Sequence, residues 1–110
     1  MKVYAQTLNL KDDPVIIEKY KDYHQNVWPE VLAALKYVGI LDMKIFLHGR
    51  RLFMYMETKD EFIPEVDLPR YLEQDKRCQE WEELMGDFQE PVPEAKPGEK
   101  WSMMEQVFKL

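Results

Sequence analysis

The sequence predicts one α+β domain, and two observations support that prediction. Apolar residues alternate in four stretches and recur at helical spacing between them, which gives the order strand, two helices, two strands, helix, strand. The length of 110 residues supplies apolar material for a single core. This order matches the ferredoxin-like split βαβ plan, so we expect residues 1–110 to form an antiparallel sheet with helices on one face.

The first part of the chain predicts one strand and two helices. Lys2 to Leu10 alternates as a half-buried strand does, and the dipeptide Asp13-Pro14 is typical of a helix start. The first helix is expected to run from Pro14 to about Asn26, because Pro29 disfavours helical geometry at the residue before it. A second helix should end at Gly39. Its apolar stripe consists of Trp28, Val31, Leu32, Leu35 and Val38.

The middle of the chain predicts an antiparallel hairpin. Ile40 to Leu47 and Leu52 to Thr58 alternate as strands, and the residues between them include a glycine. Because helices are expected on one face only, the other face would expose apolar residues to water, namely Met43, Tyr55 and Met103. A second copy of the chain would cover them. We therefore expect a homodimer of the dimeric α/β-barrel type.

The last part of the chain predicts one helix and one strand. Lys59 to Pro69 mixes charges with two prolines and indicates a connection with little regular structure. A third helix is expected from Pro69 or Arg70 to about Gln89. Glu90 to Lys100 has three prolines and predicts an exposed arm. Trp101 to Leu110 alternates again, as a closing strand would.

Composition argues against several classes of protein. A net charge of −6 and a pI near 4.9, without a clustered basic surface, argue against a nucleic-acid partner. No apolar run approaches the roughly 20 residues of a membrane helix, and the N-terminus lacks the pattern of a signal peptide. The single cysteine, Cys78, falls in a helical pattern as a small hydrophobe. These features predict a cytoplasmic protein with no membrane partner.

Most cofactor and nucleophile signatures are missing from the sequence. It contains no GxGxxG, GxxxxGK[ST], HExxH or paired CxxC pattern. The two histidines, His24 and His48, lie on different predicted elements and do not form a metal-binding pair. Ser102 is the only serine, which leaves a serine triad without candidates. We expect neither a metal nor another cofactor.

General acid–base chemistry is the remaining option, and His24 is its best candidate. An imidazole with an ordinary pKa near 6.5 gives and takes protons around neutrality. Tyr20 lies four residues earlier, so a phenol and an imidazole share one helix face. The alternative remains open that His24 is structural or merely exposed and that Tyr20 is a core residue.

Trp81 and Glu82 form a second candidate group. An indole face can stack on the C–H side of a sugar, while carboxylates and phenols bind its hydroxyl groups. Trp81 also falls in the apolar stripe of its helix, which favours core packing. Without Trp81 beside it, Glu82 would be interpreted as an exposed, solvated charge on a helix.

The segment Tyr20-x3-His24-x3-Trp28-Pro29-Glu30 resembles the L-rhamnose mutarotase family, small dimeric α+β enzymes that interconvert sugar anomers without a cofactor. The likeness spans nearly the whole chain. It includes Cys78-Gln79-Glu80-Trp81 and the closing Met104-Glu105-Gln106-Val107-Phe108. The resemblance implies that His24 is the proton donor and that Tyr20 and Trp81 contact the sugar.

Two differences from the rhamnose enzymes affect the implied pocket. Met43 stands where those enzymes carry a tyrosine, and Glu82 replaces a second tryptophan beside Trp81. Losing a phenol and an indole while gaining a carboxylate changes which hydroxyl groups are recognised. The sequence is similar to that of the branch associated with L-fucose in three segments, Asp42 to Ile45, Glu80 to Met85 and Pro97 to Trp101. The resemblance therefore implies an L-fucose mutarotase with Met43 and Glu82 at the substrate.

Anomer exchange requires the sugar ring to open and close. His24 is expected to protonate the ring oxygen, while Tyr20 or Glu82 handles the anomeric hydroxyl. Three other interpretations remain open at this point: an L-rhamnose mutarotase, a cofactor-independent monooxygenase of the same fold, and a non-catalytic sugar-binding dimer.

Overall fold

The computed structural model describes every residue, Met1–Leu110, and contains five strands and four helices. In chain order they are β1 (Lys2–Leu10), α1 (Pro14–Tyr23), α2 (Pro29–Tyr37), β2 (Ile40–His48), β3 (Arg51–Thr58), α3 (Pro64–Glu73), α4 (Lys76–Gly86), β4 (Gln89–Glu90) and β5 (Ser102–Met103). All strand pairs are antiparallel, in the order β2-β3-β1-β4, and β5 also pairs with β1. This topology confirms the predicted ferredoxin-like α+β fold.

The pleat of the sheet separates a helix-facing side from an open side. Every second residue of β3 is buried under the helices: Leu52, Met54, Met56 and Thr58. Directly opposed residues of antiparallel strands share a face. Met43 is opposite Met56, and Met103 is opposite Gln6, so both methionines lie on the helix-facing side. Placing them on the open face was wrong, because the strand register was unknown, whereas Tyr55 lies there as expected.

Local capping sets the start of α1, and tight turns set its end. The Asp13 carboxylate accepts a hydrogen bond from the Val15 N–H at 2.9 Å, as the Asp-Pro start signal predicts. The helix stops at Tyr23, three residues earlier than predicted. The N–H groups of Gln25 and Asn26 donate to carbonyls three residues back, which tightens the chain before Pro29.

The second helix and the hairpin follow the predicted plan. α2 begins at Pro29 and is followed by Gly39 at φ 110°, a conformation that side chains rarely adopt. The hairpin turn contains Gly49 at φ 62°, and His48 pairs with Arg51 on either side of it.

A helix occupies much of the segment that was predicted to be irregular. Pro64 takes the first helical position of α3, where its missing N–H costs nothing. The Asp67 carboxylate accepts the Ile63 N–H at 2.8 Å, and this hydrogen bond holds the pKa of Asp67 below its usual value. Pro69 lies inside the helix on its exposed side. The prediction over-weighted the two prolines and overlooked these capping interactions.

The long helix predicted from residue 70 to residue 89 is in fact divided. α3 ends at Glu73, and α4 begins after Asp75, whose carboxylate accepts the Arg77 N–H at 2.8 Å. An aspartate at this position satisfies an N–H group that a continuous helix would pair elsewhere, so it favours a new helix start.

The chain after α4 also differs from the prediction. The segment between β4 and β5 is not a fully exposed arm, because Val92 is buried and Trp101 packs against the core. The closing strand is limited to Ser102–Met103, and residues 104–110 are exposed. Alternation predicted a longer strand. The pairing with β1 ends at Met104, whose N–H donates to the Ala5 carbonyl at 2.8 Å, and the assigned strand does not continue beyond it. None of the four helices has the length and apolar character needed to cross a membrane.

The Asp75 cap should contribute measurably to stability. Asp75→Ala leaves the Arg77 N–H without its carboxylate partner, so the free energy of unfolding should fall by about 1 kcal/mol. Denaturant unfolding measures this change. Asp12→Ala is the matched control, because Asp12 is exposed just ahead of a cap that Asp13 already provides. Equal stability of the two variants would contradict the capping role.

Candidate active site

Aromatic rings from the end of α1 and from α4 meet in one cluster. Tyr20 is only 4% exposed, and its ring centroid lies 4.3 Å from that of His24 with the planes tilted by 32°. The Tyr20 ring also meets Phe88 edge-on at 6.4 Å. His24 meets Trp81 at 5.4 Å in an edge arrangement. The structure therefore brings together three of the predicted site residues, Tyr20, His24 and Trp81.

Trp81 is held from several sides at once. Its ring centroid lies 5.1 Å from that of Trp28 and 6.3 Å from that of Tyr23, both in edge arrangements. The Arg77 guanidinium lies 3.7 Å from the centroid of the Trp28 ring, a cation–π contact on its outer side. Trp81 is 6% exposed, so packing confines it and, through it, the His24 imidazole.

One hydrogen bond defines the tautomer of His24. Nδ1 lies 2.8 Å from the Tyr20 carbonyl oxygen, and a carbonyl only accepts, so Nδ1–H is the donor. In the neutral ring Nε2 then carries the lone pair and is free to accept a proton. Burial lowers the pKa of His24, and the hydrogen bond to the Tyr20 carbonyl opposes this effect. The imidazole is therefore neutral at pH 7.

The Tyr20 phenol is held in its protonated form. Burial is the largest influence and raises its pKa to about 12, while the neighbouring Gln89 side chain opposes the shift. The negative charge of Glu82 raises the pKa further. A neutral base and a protonated hydroxyl thus lie side by side, as proton transfer to and from a small ligand requires.

Glu82 and Met43 lie outside the ring cluster. The Glu82 carboxylate is half-exposed and lies 3.8 Å from Lys100 Nζ, across a groove between α4 and the chain before β5. Its charge nevertheless reaches Tyr20, as the pKa shows. Met43 is partly buried on the helix-facing side of β2, and β3 separates β2 from β1. No ring contact or hydrogen bond joins Met43 to Tyr20 or His24.

Several residues of the site escaped sequence reasoning. Gln89 was placed at the end of a helix, yet it forms β4 and is opposite Leu10, which turns it toward Tyr20. Phe88 and Tyr23 stack on each other at 5.8 Å and complete the cluster. The aromatic spacing around residue 81 hinted at Phe88, but no local signal reveals the pairing of Gln89. No group of three or more His, Cys, Asp or Glu side chains is arranged to hold a metal ion.

Fold and site together define a small α+β protein in which a neutral imidazole lies beside a buried, protonated phenol. The sequence profile of the L-rhamnose mutarotase family matches residues 3–110. The chain belongs to this family of sugar isomerases, which confirms the family assignment made from the His24 segment.

Individual relatives agree with this assignment. Over 112 residues the chain is 47% identical to a UPF0734 protein of Dictyostelium discoideum, covering 99% of this chain and 90% of the relative. It is 38% identical to an L-fucose mutarotase of Xanthomonas campestris, covering 100% of this chain and 89% of the relative. The crystal structure of an L-rhamnose mutarotase from Formosa agariphila shares the fold, with a TM-score of 0.71 at 20% identity, covering 100% and 99% of the two chains.

The lowered pKa of His24 should appear in the pH dependence of stability. The unfolded imidazole has a pKa near 6.5 and the folded one a lower value, so the unfolded state binds more protons between them. The stability contributed by neutral His24 is complete above pH 6.5 and is lost as the pH falls through that window. Urea unfolding from pH 8 to pH 5 should show a slope of at most about 1.4 kcal/mol per pH unit for one proton.

The two histidines provide a variant and its control. His24→Gln should remove this slope, whereas His48→Gln, in an exposed position at the end of β2, should retain it. A slope that disappears in His48→Gln and persists in His24→Gln would refute the assigned protonation state.

Proposed function

We propose that this chain interconverts the α and β anomers of a 6-deoxyhexose, with L-fucose as the preferred substrate. The pairing of neutral His24 with protonated Tyr20 carries the proposal, because ring opening needs one group to accept a proton and another to donate one. Full-length similarity to an L-fucose mutarotase supports the choice of sugar. L-rhamnose is the second candidate, and the match to the family profile supports it.

Ring opening moves two protons. His24 Nε2 accepts the proton of the anomeric hydroxyl, the C1–O1 bond becomes a carbonyl, and the bond from C1 to the ring oxygen breaks. The Tyr20 hydroxyl gives its proton to the departing ring oxygen. These proton-transfer roles are the reverse of the sequence-based expectation, in which His24 donates a proton to the ring oxygen. The lowered pKa of His24 favours the reversed roles, because the neutral imidazole carries no proton at Nε2 that it could donate.

Ring closure uses the same groups in the opposite sense. After rotation about the C1–C2 bond, the liberated hydroxyl attacks the other face of the aldehyde and returns its proton to the Tyr20 oxygen. The imidazolium of His24 then protonates O1. Both groups end in their starting forms, and the imidazolium retains its Nδ1–H bond to the Tyr20 carbonyl throughout. Trp81 acts as a positioning residue, because its ring confines the imidazole.

Glu82 and Met43 have separate roles in the proposal. The Glu82 carboxylate, half-exposed beside Lys100, lines the groove there, and its charge adds to the rise in the pKa of Tyr20 that burial mainly causes. Met43 contributes an apolar contact on the sheet side of the site, away from the proton-transfer pair. A phenol or an indole at these two positions would present different groups to the sugar hydroxyls.

Removal of the imidazole should abolish most of the catalysis. His24→Ala should reduce the enzyme-dependent exchange between the α and β signals of L-fucose by roughly 10²- to 10⁴-fold, the usual contribution of one acid–base group. Exchange NMR, run in parallel with L-fucose and L-rhamnose, measures this rate and the sugar preference. His48→Gln is the control and should exchange both sugars at the wild-type rate.

The same experiment separates the competing functions. An unchanged exchange rate in His24→Ala would remove His24 from the reaction. Tight sugar binding by the wild type without faster anomer exchange than buffer would indicate a sugar-binding dimer. Oxygen consumption with an aromatic substrate would indicate a monooxygenase.

We also propose that the open face of the sheet forms a homodimer interface. Phe46 is 55% exposed on this face and stacks with Phe53 at 6.0 Å, and Val3 adds to the apolar surface. Residues 104–110 expose further apolar side chains, among them Val107, Phe108 and Leu110. A second copy offers the same surface and covers both patches at once by two-fold symmetry.

A charge on the open face should therefore dissociate the dimer. Phe46→Lys should lower the mass in solution toward the 13.3 kDa of one chain, measured by light scattering after size exclusion. The control is Tyr37→Lys, an aromatic residue 67% exposed on α2, on the helix side of the sheet. A wild-type mass equal to one chain, or dissociation by both variants, would contradict the proposed interface.

A further inference from the structure

Gln6 is a buried amide without a partner in the protein. It lies on the helix-facing side of β1 and is 5% exposed, and its side chain makes no hydrogen bond. The only side-chain N or O atom that is both enclosed and unpaired is Glu30 Oε2. The amide of Gln6 thus has no protein partner and keeps some access to solvent. A nearly buried amide in that condition is available to hydrogen-bond a ligand.

The surroundings of Gln6 are packed less tightly than the core. Met54 is directly opposite Gln6 in the sheet and is buried to 9% exposure, yet it is not packed into the core cluster. The helix α1 makes fewer close backbone approaches to the other elements than the other three helices do, and its aromatic end is held by rings of α4, by Phe88 and by Gln89 of β4. The Gln6–Met54 pair therefore faces the helix layer without being part of the packed core.

The register of β1 relates Gln6 to the His24–Tyr20 pair. Gln6 and Leu10 lie on the same side of β1, four residues apart, which corresponds to about 13 Å of strand. Leu10 is opposite Gln89, the residue next to the Tyr20 hydroxyl. Gln6 and the neighbour of the Tyr20 hydroxyl are thus linked through one strand, on the side of the sheet that faces the helices.

The chemistry of the pair suits a sugar. A glutamine amide offers one carbonyl acceptor and two N–H donors, a set that matches two neighbouring hydroxyl groups. Met54 beside it offers a flexible apolar surface for the C–H side of the ring. A 6-deoxyhexose presents both kinds of surface, and the orientation of its hydroxyls distinguishes one sugar from another.

We propose that Gln6 is a specificity-determining residue, which hydrogen-bonds ring hydroxyls of the sugar opposite the His24–Tyr20 pair while Met54 contacts its apolar side. This inference rests on the proposed mutarotase function. It adds a sheet residue to a site whose other members come mainly from α1 and α4.

Gln6→Met tests the proposal because it removes the amide and keeps the volume. Without an amide to hydrogen-bond the hydroxyls, kcat/KM for L-fucose should fall about tenfold or more. The ratio of kcat/KM for L-fucose to that for L-rhamnose should approach one. The fall should appear mainly in KM, since His24 and Tyr20 remain. Exchange NMR at several sugar concentrations gives both parameters.

Thermal unfolding distinguishes recognition from a structural role. Replacing an unpaired buried amide by an apolar group should leave the melting temperature unchanged or raise it. A structural glutamine would instead give a lower melting temperature with a parallel loss of activity on both sugars, and that result would overturn the proposal. Gln74→Met, at the exposed end of α3, is the matched control and should preserve the sugar preference.

The outcomes also separate this inference from the proposed function. If the wild type accelerates the exchange and Gln6→Met retains the wild-type ratio between the two sugars, the role of Gln6 is refuted while the mutarotase proposal survives. If the wild type accelerates the exchange of neither sugar, both proposals are refuted.

Discussion

Aromatic rings at the end of α1 pack edge-on against rings of α4, and this contact holds the site together. Tyr20 meets Phe88, and His24 meets Trp81, whose ring is in turn held by Trp28. The backbone of α1 stays further from the rest of the fold than that of any other helix. Side-chain packing, not backbone approach, therefore fixes the positions of Tyr20 and His24.

The same packing sets the protonation states of the pair. Removing water from a titratable group favours its neutral form, and this single cause acts on two groups of opposite type. It lowers the pKa of His24, which becomes a base, and raises that of Tyr20, which keeps its proton. The hydrogen bond from Nδ1 to the Tyr20 carbonyl leaves Nε2 as the nitrogen that can accept a proton.

The two sides of the sheet serve different purposes because side chains alternate along each strand. Residues such as Gln6, Met43 and Met54 face the helices and the proposed sugar, whereas Phe46 and Tyr55 face the proposed partner subunit. A one-residue change of register would exchange these roles. The pairing of β1 with its neighbours therefore decides which residues face the helices and which lie on the open face.

The sequence by itself determined the features that depend on local spacing. These are the alternation of β1, the hairpin, the Asp13-Pro14 start, the Gly39 stop, and the common helix face of Tyr20 and His24. Only the tertiary structure decided the division between α3 and α4, the burial of Val92, the faces of Met43 and Met103, and the positions of Gln6 and Gln89. The physical reason is that periodicity reports whether a face is apolar, while register and long-range packing decide what that face meets.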